Sequence, residues 1–303
     1  MPPTPRGRLA SRRADVRLAL RRHVDDSVNT IDVMHLGRDR VIAAHELRGL
    51  IVDPGPASCL GTLLGALRDE PRALLLTHIH LDHAGATGVL VRRFPGLRVY
   101  VHEVGAPHLI DPSRLLASAS RLYGADRMDE LWGEVAAVPE ANVSALGGGE
   151  TVEGLRVAYT PGHASHHVSF LDEETGDAYV GDVAGVRIEP GGMTVMPTPP
   201  PDIDVEAWEH SLDAISGWGA NRLRLTHFGA AEDVGPQLER ARDTLHRYAE
   251  LTRAGDRSRF VAAIGAEIDR GASAETGERL RQAAPPEQLW LGLERYWRKR
   301  GEE

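Results

Sequence analysis

Residues 74–85 read LLLTHIHLDHAG, an apolar run that ends in His78, His80, Asp82 and His83 within six positions. Titratable side chains are costly to bury unless they are paired or hold a cation. The segment is therefore either a polar surface turn or a strand that delivers ligands. In an extended chain, side chains two apart face the same way, which predicts that His78, His80 and Asp82 project to one side. His83 breaks the alternation, so the chain must turn there, and Gly85 permits a tight entry into the next helix. This differs from the helical His-Glu-x-x-His pattern, whose ligands sit four apart. Four imidazole or carboxylate groups are more than one tetrahedral ion can take from so short a loop while keeping a reactive position open. A pair of ions that draws further ligands from elsewhere is the economical solution.

The later sequence offers such ligands in similar settings. His163 follows a strand-like segment in YTPGHASHH, Asp182 follows one in YVGDVAG, and His227 ends RLTHFG. Ligands gathered from several strand ends along one sheet edge make a rigid metal platform. Short strands are expected in 27–37 and 40–55, and helical spacing in ASCLGTLLGALRDE. A strand covered on both faces is expected in RALLLT. A helix then follows in GATGVLVRRF and a strand in LRVYVHE. Residues 105–138 read as a helical insert. Strands are expected at 154–160, 167–172 and 177–181, then a proline-rich loop, a capped helix in VEAWEHSLDAISGW and a strand in RLRLTHFG. The remainder is helical, amphipathic and charged. Strands alternating with helices in both halves predict a layered α/β sandwich. The organisation expected is an Arg-rich tail or short helix at 1–27, a main domain at 28–256 and a C-terminal helical extension at 257–303 packed on it.

Composition narrows the chemistry. The formal net charge is −9, the wrong sign for a nucleic-acid partner, because phosphate binding needs a positive field. Lys299 is the sole lysine, which removes lysine as a catalytic base. Cys59 is the sole cysteine, so an internal disulfide and a cysteine-based zinc site are both excluded. No stretch is long and apolar enough to span a membrane, and the start lacks the apolar core of a secretion signal. A cytoplasmic, small-molecule enzyme is the expectation, with the C-terminal helices, through Trp290 and Trp297, offering a homodimer surface.

The motif His78-x-His80-x-Asp82-His83, followed in order by His163, Asp182 and His227 and preceded by LIVDPG with Asp53 and Gly55, resembles the metallo-β-lactamase superfamily over roughly residues 28–232. That resemblance implies an αββα four-layer sandwich with the site along one edge. It implies two divalent ions, zinc by preference with iron or manganese as alternatives. One would take His78, His80 and His163, the other Asp82, His83 and His227, and Asp182 would bridge them. A hydroxide shared by two cations would then attack a carbonyl carbon, with Asp82 or Asp182 orienting it or accepting its proton. Asp53, Thr77, His167 and Ser169 are expected to hold the ligands in orientation. Tyr123, Trp132, His166 and Met193 are the candidates for lining a substrate pocket, with core or lid packing as the plainer role for each.

The activity implied is hydrolysis of a thioester, ester or lactone of a small acyl substrate, in the glyoxalase II and lactonase branch. Asp182 stands where secreted β-lactamases carry cysteine. Gly185 stands where acyl-homoserine lactonases carry a substrate-contacting tyrosine, and the basic residues that hold glutathione in glyoxalase II have no clear counterpart. The alternatives are a mononuclear iron persulfide dioxygenase using His78, His163 and Asp182, and a cytoplasmic β-lactam-hydrolysing relative.

Overall fold

Two six-stranded sheets face one another, and the sequence pattern shows why. In β4 (Ala73–Leu75) every residue is buried, with Ala73 and Leu75 turned to the second sheet and Leu74 turned to the helices outside. A strand covered on both faces needs no polar alternation. The computed structural model describes residues 28–301; the Arg-rich segment expected as a tail or short helix at 1–27 lies outside them.

The first sheet runs β1 (Val28–Asp32), β2 (Ala43–Leu47), β3 (Leu50–Val52), β4, β5 (Arg98–His102) and β6 (Val143–Leu146) in spatial order. β3 through β6 are parallel. The second sheet holds β7 (Thr151–Val152), β8 (Leu155–Tyr159), β9 (Val168–Asp172), β10 (Asp177–Gly181), β11 (Arg222–Leu225) and β12 (Gly229–Ala231), with β12 and β7 at its two edges. β10 and β11 are its parallel pair. Between the sheets lie Leu50, Val52, Leu75, Val157, Phe170 and Tyr179, all buried. Outside the first sheet, Leu63, Leu90, Val99 and Leu109 form a second core with the helices Leu60–Ala66, Thr87–Arg93 and Ala106–Ile110. Outside the second, Val180, Trp208, Leu212, Leu245, Phe260 and Leu293 form a third. The result is the four-layer αββα sandwich.

The insert is helical as expected, in Ala106–Ile110, Ser113–Tyr123 and Met128–Trp132. Asp204 caps the helix Val205–Ser216 by accepting from the Ala207 N–H at 2.9 Å, the role its position before the apolar pattern predicts. Three strands were not legible in the sequence, the two-residue β7 among them. β6 is partly exposed and lacks apolar alternation, and β12 is a Gly-Ala-Ala edge strand of low β propensity.

The C-terminal helices Arg257–Gly271, Ala274–Ala283 and Pro286–Lys299 share one continuous core with the second sheet. This packing sets the place of two tryptophans. Trp290 is 5% exposed, and the Trp297 Nε1–H donates to the Ala249 carbonyl at 2.8 Å. Trp290 thus faces the protein's own core, and Trp297 packs half-buried against it.

Two backbone hydrogen bonds clamp the sheets together at one edge. The Ala43 N–H donates to Thr226 O, and the Val168 N–H donates to Thr77 O, each at 2.8 Å. This edge is where β3, β4, β10 and β11 all end. Because Phe170 is fully buried between the sheets, Phe170→Ala should cost about 3–5 kcal/mol. A urea denaturation midpoint equal to wild type would contradict that placement.

Candidate metal centre

Four strand ends supply the site. β4 hands over to His78 and His80, and a helical turn at Leu81–Ala84 carries Asp82 and His83. Asp82 was expected on the extended segment. It sits instead in the first helical turn, and adjacent residues about 100° apart on that turn can both reach inward. His163 lies in the turn between β8 and β9, Asp182 follows β10 directly, and His227 follows β11.

Their ligating atoms converge. His78 Nε2 and His163 Nε2 each lie 3.0 Å from His80 Nδ1. Asp82, His83 and His227 form a second group, with His227 Nε2 3.4 Å and His83 Nε2 3.8 Å from Asp82 Oδ2. Asp182 stands between them. Its Oδ2 is 3.3 Å from His163 Nε2, while its Oδ1 is 3.4 Å from His83 Nε2 and 3.6 Å from His227 Nε2. The ligating atoms within each such group lie within 4.8 Å of one another.

Hydrogen bonds on the far side of each ring show which nitrogen carries a lone pair. The Nδ1–H of His163 donates to Pro197 O at 2.8 Å and that of His227 to Val41 O at 2.6 Å. A carbonyl oxygen can only accept, so in the neutral ring Nε2 is bare. The Nδ1–H of His83 likewise donates to Asp53 Oδ2 at 2.8 Å. His78 Nδ1 lies 3.1 Å from Thr77 Oγ1; that hydroxyl gives its own proton to Asp53 Oδ2 at 2.7 Å and so accepts from the ring. Four lone pairs thus face inward, three of them onto carboxylate oxygens and that of His78 onto His80 Nδ1, an arrangement that is repulsive unless positive charge lies between them. His83 Nε2 and Asp182 Oδ1 are buried and have no hydrogen-bond partner, which a protein tolerates only where a ligand completes them. The residues fit divalent cations, and a set of imidazoles and carboxylates without thiolate suits zinc, iron or manganese.

Electrostatics agree. Burial, reinforced by the neighbouring imidazoles, holds His78 well below the ordinary histidine range. Burial with His163 beside it lowers His80 to about 4, so both present neutral nitrogens. Burial also opposes charge on His83 and His227, but the carboxylates of Asp182 and Asp82 outweigh it and raise both. The second group is therefore a place that favours positive charge.

Asp53 organises the surroundings. It is fully buried and adopts φ +51°, a conformation seldom used outside glycine. Its carboxylate accepts from the Thr77 N–H and hydroxyl, His83 Nδ1–H and the Thr226 hydroxyl at 2.7–3.0 Å. His167 accepts from the Asp182 N–H at 3.4 Å. It also lies 3.0 Å from Thr160 Oγ1, which in turn meets Ser169. Gly181, at φ +48°, is where this network passes closest to the backbone: a Cβ there would fall 2.6 Å from Thr77 Oγ1 and 2.7 Å from His167 Nε2.

A cavity of about 300 Å³ opens beside His80, walled by Leu115, Leu122, Tyr123 and Pro199–Pro201, with His166 on the metal side. Burial lowers His166 to about 3. A smaller recess on the Asp82 and His227 side is lined by Tyr123 and Trp132, whose rings meet edge to face at 5.0 Å. Met193 is a correction. It packs against the third core and abuts Gly271 of a C-terminal helix, because the proline-rich loop turns its apolar side chains into that helical layer.

Several contributors were not foreseen. Thr226 and the carbonyls of Val41 and Pro197 orient ligands, but backbone carbonyls leave no signature in residue type. His35 stacks on Trp132 at 5.4 Å and contacts Leu131 O and Gln282. Gln282 and Gln288 bring the C-terminal helices to the small recess.

Because Asp53 fixes ring orientation for His83 directly and for His78 through Thr77, Asp53→Asn should weaken divalent-ion binding about 10–100-fold. Competition against a chelator measures this, and an unchanged affinity would show that Asp53 does not orient the ligands.

Known proteins resemble this chain. Residues 41–227 match the family model described as the metallo-beta-lactamase superfamily. A hydroxyacylglutathione hydrolase of Salmonella typhi is 36% identical over 90 residues, 27% of this chain and 36% of that protein. A metallo-beta-lactamase fold-containing protein of Sulfurisphaera tokodaii is 28% identical over 174 residues, 54% of this chain and 62% of that protein. The chain thus spans less than two thirds of the length of these curated relatives. A solved metallo-beta-lactamase family protein from Thermus thermophilus superposes with a TM-score of 0.61 at 24% identity, covering 91% of this chain and 94% of that one, a likeness of fold.

Proposed function

The chain belongs to the metallo-β-lactamase superfamily, and from that premise we propose that it is a two-metal hydrolase acting on an ester, thioester or lactone bond of a small acyl substrate. The observation that carries the reading is Asp182, whose two carboxylate oxygens face separate ligand groups at 3.3 and 3.4 Å. His78, His80 and His163 would hold one ion and Asp82, His83 and His227 the other, with Asp182 between them. Zinc is the ion we favour. Two such ions supply Lewis acidity and lower the pKa of water at the site towards neutrality.

The chain's own residues do the rest. The fixed rings keep their lone pairs inward, so no ligand must turn before it binds. Asp82 is partly exposed at 21% and lines the recess, where its carboxylate can orient the attacking water. The cavity beside His80 takes an acyl chain against apolar walls and keeps bulk water from it. Gly185 lies against the proline-rich loop rather than on the cavity wall, and an aromatic side chain at that position would not fit. Its φ is +79°, and a Cβ would fall 2.7 Å from Thr194 Cγ2 and 2.8 Å from Met196 Sδ. The proline-rich loop already fills that space.

The relatives named hydroxyacylglutathione hydrolase support the bond class; their match covers too little of the chain to carry glutathione with it. A mononuclear iron oxygenase would need His78, His163 and Asp182 alone, and the convergence of Asp82, His83 and His227 favours the two-ion hydrolase. No helix among the described residues is long and apolar enough to cross a membrane. We place the enzyme in the cytoplasm, where the buried Cys59 would stay reduced.

Purified protein should carry two metal equivalents and hydrolyse members of an ester, thioester and lactone panel, with activity lost to a chelator and restored by zinc. Asp182→Asn should lose metal and on the order of 100-fold in kcat, the scale of the charge stabilisation two ions provide. One iron per chain with oxygen uptake on glutathione persulfide would overturn the reading, as would full metal content and turnover in the variant.

A further inference from the structure

His166 is not needed to hold either ion group, yet it is 8% exposed and lines the cavity beside His80. Its ring stands perpendicular to that of His80, centroids 5.7 Å apart. It also lies parallel to His78 at 6.2 Å. Backbone geometry selects its tautomer. The buried Ile79 N–H donates to His166 Nδ1 at 3.5 Å, so Nδ1 keeps its lone pair and the proton of the neutral ring sits on Nε2. Ile79 lies between the ligands His78 and His80, so the ring is registered against the metal loop itself. Nε2 makes no hydrogen bond among the described residues, and the ring lines the cavity beside His80. The walls around that space are mainly apolar, from Ile79, Leu81, Leu115, Leu122 and three consecutive prolines, with His108, Arg114 and Asp202 among the polar residues that also line it.

We propose that His166 is a specificity-determining residue whose Nε2–H donates a hydrogen bond to an acceptor oxygen on the acyl chain of the substrate. The inference rests on the hydrolase reading above and deepens it by naming a feature of the substrate. A donor facing apolar walls loses solvation when a chain fills the cavity, unless the chain returns an acceptor. A site built around such a donor discriminates against the analogue that lacks the acceptor. The 5.7 Å between the rings of His166 and His80 places that oxygen within a few bonds of the scissile carbonyl. The substrate is therefore an oxygenated acyl group, with a hydroxyl, oxo or ether oxygen near the carbonyl, in preference to a plain alkanoyl one.

Binding tests this without turnover. Calorimetry on the metal-loaded protein compares hexanamide with its 3-oxa analogue, in which an ether oxygen replaces one methylene. Wild type should bind the 3-oxa compound about 3–10-fold more tightly, the range of one net hydrogen bond. His166→Phe should lose that preference, and His166→Gln, which keeps an N–H donor, should retain part of it. Hydrolysis of the matched p-nitrophenyl esters should show the same loss in KM with kcat less affected and metal content unchanged. Equal binding of the two amides by wild type would overturn the proposal, as would a preference that survives in His166→Phe. Should that variant fail to fold, long-range proton–nitrogen spectra of wild type decide the matter: an Nδ1–H tautomer overturns the proposal, and an Nε2–H signal that shifts with the 3-oxa amide supports it. If no ester is hydrolysed, the hydrolase reading fails while the amide comparison still reports on His166.

Discussion

One buried carboxylate holds the site together. Asp53 accepts four hydrogen bonds from groups on three separate parts of the chain: the loop after β4, the helical turn with His83, and the end of β11 in the other sheet. A carboxylate removed from water must have its oxygens satisfied, so its burial at the sheet edge requires those three parts to meet there. The left-handed backbone at Asp53 is the strain that this arrangement carries. Without that convergence, His78 and His83 would be free to flip, and their lone pairs would no longer face inward.

The wider fold makes such a cluster tolerable. Grouping seven ligands at one edge sets lone pairs against carboxylates, and the core must offset that cost. Three apolar layers flank two sheets, and the sheets are tied at the site edge by Ala43–Thr226 and Val168–Thr77 backbone bonds. Parallel strand ends on both sheets point loops the same way. Short loops on a rigid platform then hold side chains to within a fraction of an ångström, which metal coordination needs.

Access is governed by elements that contribute no ligand. The helical insert supplies Leu115, Leu122 and Tyr123, the proline-rich loop supplies Pro199–Pro201, and the C-terminal helices supply Gln282 and Gln288. Tyr123 lines both the larger cavity and the smaller recess, so it sits between the space beside His80 and the second ligand group. The ligand platform is thus built from different elements than the cavity walls, and His166 lies where the two meet.

The residues of the metal platform were legible in the sequence because their chemistry is local and unusual. His78, His80, Asp82 and His83 within six residues have few other uses, and His163, Asp182 and His227 recur after strand-like segments. The apolar run before His78 likewise announced a strand buried on both faces. What the chain alone left open depends on contacts between residues far apart. Half-exposed β6 and the Gly-Ala-Ala strand β12 become strands through pairing with neighbours rather than through propensity. Met193, Trp290 and Trp297 carry apolar side chains that suit a pocket, a surface or a core equally, and only packing turned them inward. The orienting carbonyls of Val41 and Pro197, and the approach of Gln282 to His35, have no signature in residue type. Ligand identity is a property of side-chain chemistry and is written in order along the chain, whereas orientation and access are properties of distance, which only the folded sandwich sets.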